Sequence, residues 1–186
     1  MKKILAVLVM AAIGLGLFAA PAAAARGGKP GVVPGKPGPA TIYDIADGNE
    51  SFDTLVALLD LSGLDAAVKQ TDDKLTVFAP TDDAFAKLPA ECVAFLTSPE
   101  GADTLEAVLL YHVTDGRRFS NSVFGKNPKS VEMLAAGSIT TNPNLTITDG
   151  AGQVVAVAAP FNVNASNGVI HAIDTVMLPF VPDCAT

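Results

Sequence analysis

The sequence predicts an α+β fold, in which helices come first and antiparallel strands follow. Apolar residues recur at helical spacing early in the chain and at every second position after residue 116. Two turn signals, Asp149-Gly150 and Asn167-Gly168, separate short β-rich runs, as they do in hairpins. Helices and strands that are segregated in this way indicate helices gathered on one side of the sheets.

An export signal and a linker are predicted ahead of the folded part. Two lysines precede an uncharged apolar segment that ends in small residues, which is the pattern of a cleaved signal peptide over residues 1–25. Residues 26–40 contain five Gly and four Pro and cannot bury enough apolar surface to offset their ordering entropy. We therefore expect a linker there, one domain over residues 41–186, and an exported protein, periplasmic or secreted, without a membrane span after cleavage.

The first half of the domain is predicted to be helical because its apolar residues form stripes. The first stripe, which ends near Gly63, consists of Phe52, Leu55, Val56 and Leu59. The second stripe, on a helix over residues 103–111, consists of Leu105, Val108, Leu109 and His112. Because His112 closes an apolar stripe, its position favours a hydrogen-bonded core group over a contact with a partner.

A helix start is predicted after the β-rich run 75–78, which Ala79 and Pro80 close. Thr81 can cap this helix, and Asp82 and Asp83 lie in its first turn, where the helix dipole favours anions. The three side chains could also ligate a cation, but the cap accounts for them fully. We expect neither a metal site nor a cofactor.

The second half of the domain is predicted to form strands. Alternating patterns mark four short runs, at 138–141, 145–148, 154–157 and 161–164. The run 169–178 is apolar on both faces, which predicts a central strand covered on both sides. His171 and Asp174 fall on opposite faces of this strand, and we expect them to satisfy groups within the fold.

Charge and motifs narrow the possible functions. The net charge is −7, and residues 41–116 hold three Lys against fifteen acidic residues. This balance leaves no basic footprint for nucleic acid; it indicates a solvated face or a surface for cations or basic partners. The chain lacks the G-x-S-x-G, H-E-x-x-H, P-loop and dinucleotide motifs, so an enzyme is not predicted, although a Ser-His-Asp set from distant residues stays open.

Two cysteines, Cys92 and Cys184, occur in a chain that we expect to be exported. Since exported proteins mature in oxidising compartments, this pair predicts a disulfide.

Three stretches resemble the fasciclin domain, a repeated module of extracellular adhesion proteins. The first signature box is resembled by residues 76–85, TVFAPTDDAF, and the central Tyr-His motif by residues 110–113, LYHV. The second box is resembled by residues 167–179, NGVIHAIDTVMLP. The resemblance covers residues 41–180 and implies a wedge of two mainly antiparallel β-sheets with several short helices packed on one side.

The resemblance also implies a non-catalytic role in adhesion or matrix interaction, with a cell-surface or matrix protein or glycan as partner. It places Tyr111 and His112 on the motif linked to receptor adhesion; Tyr111 lies off the apolar stripe, so we expect it to be the exposed contact. It gives Asp83 a structural role in locking the two boxes together. Some relatives bind pigments, so a carrier of a small apolar ligand is the alternative, and it would need an open apolar cleft.

Overall fold

The computed structural model describes residues 38–70 and 74–180. The predicted signal peptide, nearly all of the linker and Cys184 lie outside the described residues, so the cleavage and the disulfide stay predictions. Cys92 lies buried on a helix. No helix in these two ranges combines the length and the apolar character that crossing a membrane requires.

Short helices dominate the first half of the chain and short strands the second. The helices are α1 (Ile42–Asp47), α2 (Asp53–Ser62), α3 (Asp65–Lys69), α4 (Asp82–Phe85), α5 (Ala90–Leu96), α6 (Ala102–Leu110) and α7 (Ser120–Val123). The strands are β1 (Leu75–Pro80), β2 (Val113–Asp115), β3 (Lys129–Glu132), β4 (Ser138–Asn142), β5 (Thr146–Thr148), β6 (Val154–Ala156), β7 (Val163–Ala165) and β8 (Gly168–Ile173). The predicted order is confirmed, with β1 and β2 lying among the helices.

Local capping sets several helix ends. Thr41 and Asp44 form a capping box at the start of α1. Thr81 accepts a hydrogen bond from the Ala84 amide and caps α4, as predicted. Gly63 ends α2 with a φ of 73°, in the left-handed region that glycine adopts without steric cost.

The strands form two sheets of four strands each, which confirms the predicted α+β class. The first sheet has the order β2-β1-β8-β7, and the second has the order β3-β4-β5-β6. All pairings are antiparallel except that of β1 with β8, which runs parallel and places Phe78 opposite His171. The parallel pair therefore brings the two signature boxes side by side.

The first sheet lies between the helices and the second sheet. All six residues of β8 are buried, so the predicted central strand is confirmed, although it ends at Ile173 rather than at residue 178. Ile170 and Ala172 belong to the core under the helices, whereas Ile173 belongs to the core shared with the second sheet. This alternation follows from the period of two in a strand.

Candidate functional site

Tyr111 lies at the end of α6 and is 1% exposed. Its ring packs in the core between the two sheets. Its hydroxyl donates to the Ser138 carbonyl and accepts from the Gly150 amide, both at 2.9 Å. Burial raises the pKa of Tyr111 above its ordinary value. A Cβ at Gly137 would lie 3.2 Å from the ring, and one at Gly150 would lie 3.1 Å from the hydroxyl, so both glycines make room for this side chain.

The expectation that Tyr111 is exposed is therefore wrong. A residue off the apolar stripe of a helix reaches water only where nothing else covers that side. Here the second sheet covers it. A partner contact through Tyr111 and His112 stays a prediction, and it would need a surface that these two buried side chains do not offer.

His112 is 2% exposed, and both of its ring nitrogens are hydrogen-bonded. Nε2 lies 2.9 Å from the Met177 amide nitrogen, and Nδ1 lies 2.7 Å from the Val108 carbonyl oxygen. Because a backbone amide can only donate, Nε2 accepts and Nδ1 carries the proton. The imidazole is thus neutral, and burial lowers its pKa to about 4.

Asp149 is a buried carboxylate, although the sequence predicts it only as part of a turn. It accepts hydrogen bonds from the Gln153 amide at 2.8 Å, from the Gln153 side chain at 2.9 Å and from the Leu178 amide at 2.9 Å. His112 and Asp149 thereby hold the consecutive amides of Met177 and Leu178. The sequence signal for this role is an aspartate at the start of a turn. Its carboxylate readily accepts hydrogen bonds from backbone amides a few residues later in the chain.

His171 lies on the other face of the first sheet and is fully buried. Its Nε2 lies 2.9 Å from the Arg118 carbonyl oxygen, and its Nδ1 accepts from the Asn162 amide at 3.4 Å. The ring stacks on Phe78 at 5.7 Å and meets Phe124 edge-on at 6.1 Å. Burial lowers the pKa of His171 as well. The two imidazoles therefore hold separate parts of the scaffold and do not form one reactive centre.

The lock between the two signature boxes that the resemblance assigns to Asp83 stays a prediction. Asp83 is exposed, and its neighbour Asp82 accepts from the Thr54 amide at 2.8 Å. A side-chain contact to the second box comes from Lys87, two residues after the first box, whose Nζ lies 2.5 Å from the Asp174 carbonyl oxygen and 3.2 Å from its carboxylate. Lys87 thus adds a side-chain contact to the backbone pairing of β1 with β8.

Asp174 follows β8 directly and satisfies groups within the fold, as expected. Its Oδ1 accepts from the Ala156 amide at 2.9 Å, which connects β6 to the end of β8. Partial burial opposes ionisation, but hydrogen bonds from Ala156, Lys87 and Thr175 outweigh it, and the pKa of Asp174 lies below its ordinary value. The carboxylate thus links both sheets and the turn that follows α4.

Replacing Lys87 by methionine is expected to lower the free energy of unfolding by about 0.5–1 kcal/mol, because the ion pair with Asp174 is half exposed. Urea denaturation measures the change. Lys126→Met is the matched control, since Lys126 is exposed and forms no ion pair within residues 38–70 and 74–180. Equal stabilities of the two variants would contradict the role of Lys87.

Two of the cavities in the described part of the chain lie next to the helices. An apolar cavity of about 20 Å³ lies between the helices and the first sheet, against Leu59, Leu109, His112 and Ile170. It has room for roughly one water molecule. The second is an open cleft of about 250 Å³ between α2, the end of α5 and the start of α6, which we call the α2–α6 cleft. Within the described residues, no group of three His, Cys, Asp or Glu side chains is placed to hold a metal ion.

Comparisons with known proteins agree with the geometry. A family model described as the fasciclin domain matches residues 50–179. Protein sll1483 of the cyanobacterium Synechocystis is 42% identical over 140 residues, which cover 75% of this chain and 73% of that protein. Immunogenic protein MPB70 of Mycobacterium bovis is 32% identical over 140 residues, covering 72% of this chain and 66% of that protein.

A solved structure of a FAS1 domain pair from the insect cell adhesion molecule fasciclin I has the same fold. The two superpose with a TM-score of 0.60 at 17% identity, over 75% of this chain and 51% of that chain.

Proposed function

The chain belongs to the fasciclin domain family, and from this premise we propose that it is a non-catalytic interaction module at the cell envelope or outside the cell. The family is known in adhesion and extracellular proteins. The proposed partner is a protein or glycan of the cell surface or matrix. Export through residues 1–25 and a disulfide between Cys92 and Cys184 are part of the proposal.

The proposal is supported by the burial of tyrosine and histidine side chains of the signature motifs. The tyrosine and the two histidines of these motifs, Tyr111, His112 and His171, are buried and hydrogen-bonded to backbone groups. A general acid or base must reach a substrate proton within hydrogen-bond distance. Because these side chains are hydrogen-bonded within the fold, they stabilise the fold and do not reach a substrate. Recognition of a partner is then left to the outer surface.

The interior cavity favours an interaction module over a carrier of an apolar ligand. Sites for small molecules have volumes of about 300–1,000 Å³. The apolar cavity beside His112 has about 20 Å³. Native mass spectrometry of the purified protein checks this point: an organic ligand that co-purifies in stoichiometric amount would favour the carrier.

The proposed function is tested by binding to the producing cells' own envelope. Labelled protein is titrated onto a washed envelope fraction, and bound protein is measured with and without an excess of unlabelled protein. We expect saturable binding that heat-unfolded protein does not show. Binding that is absent, or equal for folded and unfolded protein, would overturn the proposal.

A further inference from the structure

The α2–α6 cleft is open to solvent and is lined partly by apolar side chains. Leu96 and Leu105 lie at its bottom and are 6% and 2% exposed, since they belong to the core under the helices. Leu61 stands beside them and is 59% exposed, which makes it one of the few large apolar side chains left in water within the described residues. Leu61 therefore offers an apolar contact at the edge of the cleft.

The size of the cleft distinguishes between kinds of occupant. Its volume of about 250 Å³ lies below the range of about 300–1,000 Å³ that is usual for small-molecule sites. Protein interfaces instead place single large anchors, often Arg, Tyr or Trp, in pockets of this kind. The cleft therefore suits one anchoring side chain of a protein partner.

The rim of the cleft specifies the charge of that anchor. Asp103 and Glu106 are both exposed and lie three residues apart on α6, so their carboxylates are neighbours on one face. Neither forms an ion pair with any residue in the ranges 38–70 and 74–180. Asp103 lies in the first turn of α6, where the helix dipole stabilises a carboxylate. This stabilisation fades beyond the first turn, so it does not explain the position of Glu106. The residues lining the cleft include no cation.

We infer that the α2–α6 cleft binds an arginine side chain presented by a protein partner next to an apolar residue. The aliphatic stem would enter the cleft, and the guanidinium would lie between Asp103 and Glu106. Arginine fits better than lysine because its planar fork bridges carboxylates and is more weakly hydrated. The neighbouring apolar residue would contact Leu61. This inference rests on the proposed function and names the partner chemistry.

A peptide titration tests the cleft directly. The probe is a synthetic peptide with one arginine between two leucines, and its matched control carries the neutral isostere citrulline instead. Binding to the protein labelled with ¹⁵N is followed by NMR. We expect shifts confined to the cleft and at least fivefold weaker binding of the citrulline peptide. No binding, equal binding of both peptides, or shifts mapping elsewhere would overturn the inference.

Charge-matched variants connect the cleft to envelope binding. The double variant Asp103→Asn/Glu106→Gln is compared with Asp47→Asn/Glu91→Gln, which removes two exposed acids outside the cleft. We expect the first pair to weaken envelope binding at least fivefold relative to the second. Equal binding of both pairs would refute the cleft while leaving the proposed function intact. Absent binding of the unaltered protein would refute the proposed function itself, whereas the peptide result would still stand.

Discussion

Replacing Tyr111 by alanine is expected to lower the free energy of unfolding by about 3–5 kcal/mol, as large-to-small substitutions of core aromatics do. The ring fills the core between the sheets, and truncation would leave a cavity there. The Ser138 carbonyl and the Gly150 amide would also lose their hydrogen-bond partner. Urea denaturation followed by circular dichroism measures the loss.

Tyr111→Phe separates packing from hydrogen bonding. It keeps the ring and removes only the hydroxyl, so we expect a smaller loss of about 1–3 kcal/mol. If Tyr111 were instead an exposed contact, the alanine variant would bind its partner more weakly at unchanged stability. That outcome would show that the side chain is an exposed contact and would contradict its burial.

The burial of Tyr111 shows what the periodicity of a helix does not predict. The stripe on α6 correctly placed Leu105, Val108 and Leu109 in the core. It gave no information on the opposite side of the helix end, since a stripe reports one packed face and not what packs against the other. Only the position of the second sheet decides that Tyr111 is buried rather than exposed.

The sequence predicted six of the eight strands in the described part of the chain but missed β2 and β3, and it did not predict the pairing. Alternation located β4, β5 and β6 within one or two residues, because one face of each is buried. The parallel pairing of β1 with β8 joins residues about ninety positions apart. No local pattern carries that information, since periodicity reports which face of a strand is buried and not which strand lies beside it.

Asn167 also shows that a local sequence pattern does not predict contacts with remote parts of the chain. The Asn-Gly pair correctly marked the turn between β7 and β8. The asparagine is also fully buried: its Oδ1 accepts from the Ile42 amide at 2.8 Å, and its Nδ2 donates to the Val68 and Gln70 carbonyls at 2.7 Å. It thus ties α1 and the end of α3 to the first sheet. A turn signal predicts the local backbone but cannot reveal partners from remote helices.

Acidification from pH 6.5 to about 4 is expected to destabilise the protein by up to about 3 kcal/mol through His112. In the unfolded chain the imidazole titrates near its ordinary value of 6.5, whereas in the folded protein burial lowers the pKa to about 4. Between these values the unfolded chain binds a proton that the folded protein excludes, so stability rises with pH. The contribution is fully present above pH 6.5 and is lost as the pH falls toward 4, at about 1.4 kcal/mol for each unit.

Other groups also lower the stability as the pH falls, so the experiment compares two proteins that differ only at residue 112. The folded-state pKa of His171 is also lowered by burial, and Asp174, whose pKa is lowered as well, loses its contribution at still lower pH. Urea denaturation of the wild type and of His112→Gln between pH 4 and 7 isolates His112, because the other groups contribute equally to both. We expect the stability difference between the two proteins to shrink as the pH falls. Parallel pH profiles, or an imidazole that protonates near pH 6.5 by NMR, would show that His112 does not hold the Met177 amide as a neutral acceptor.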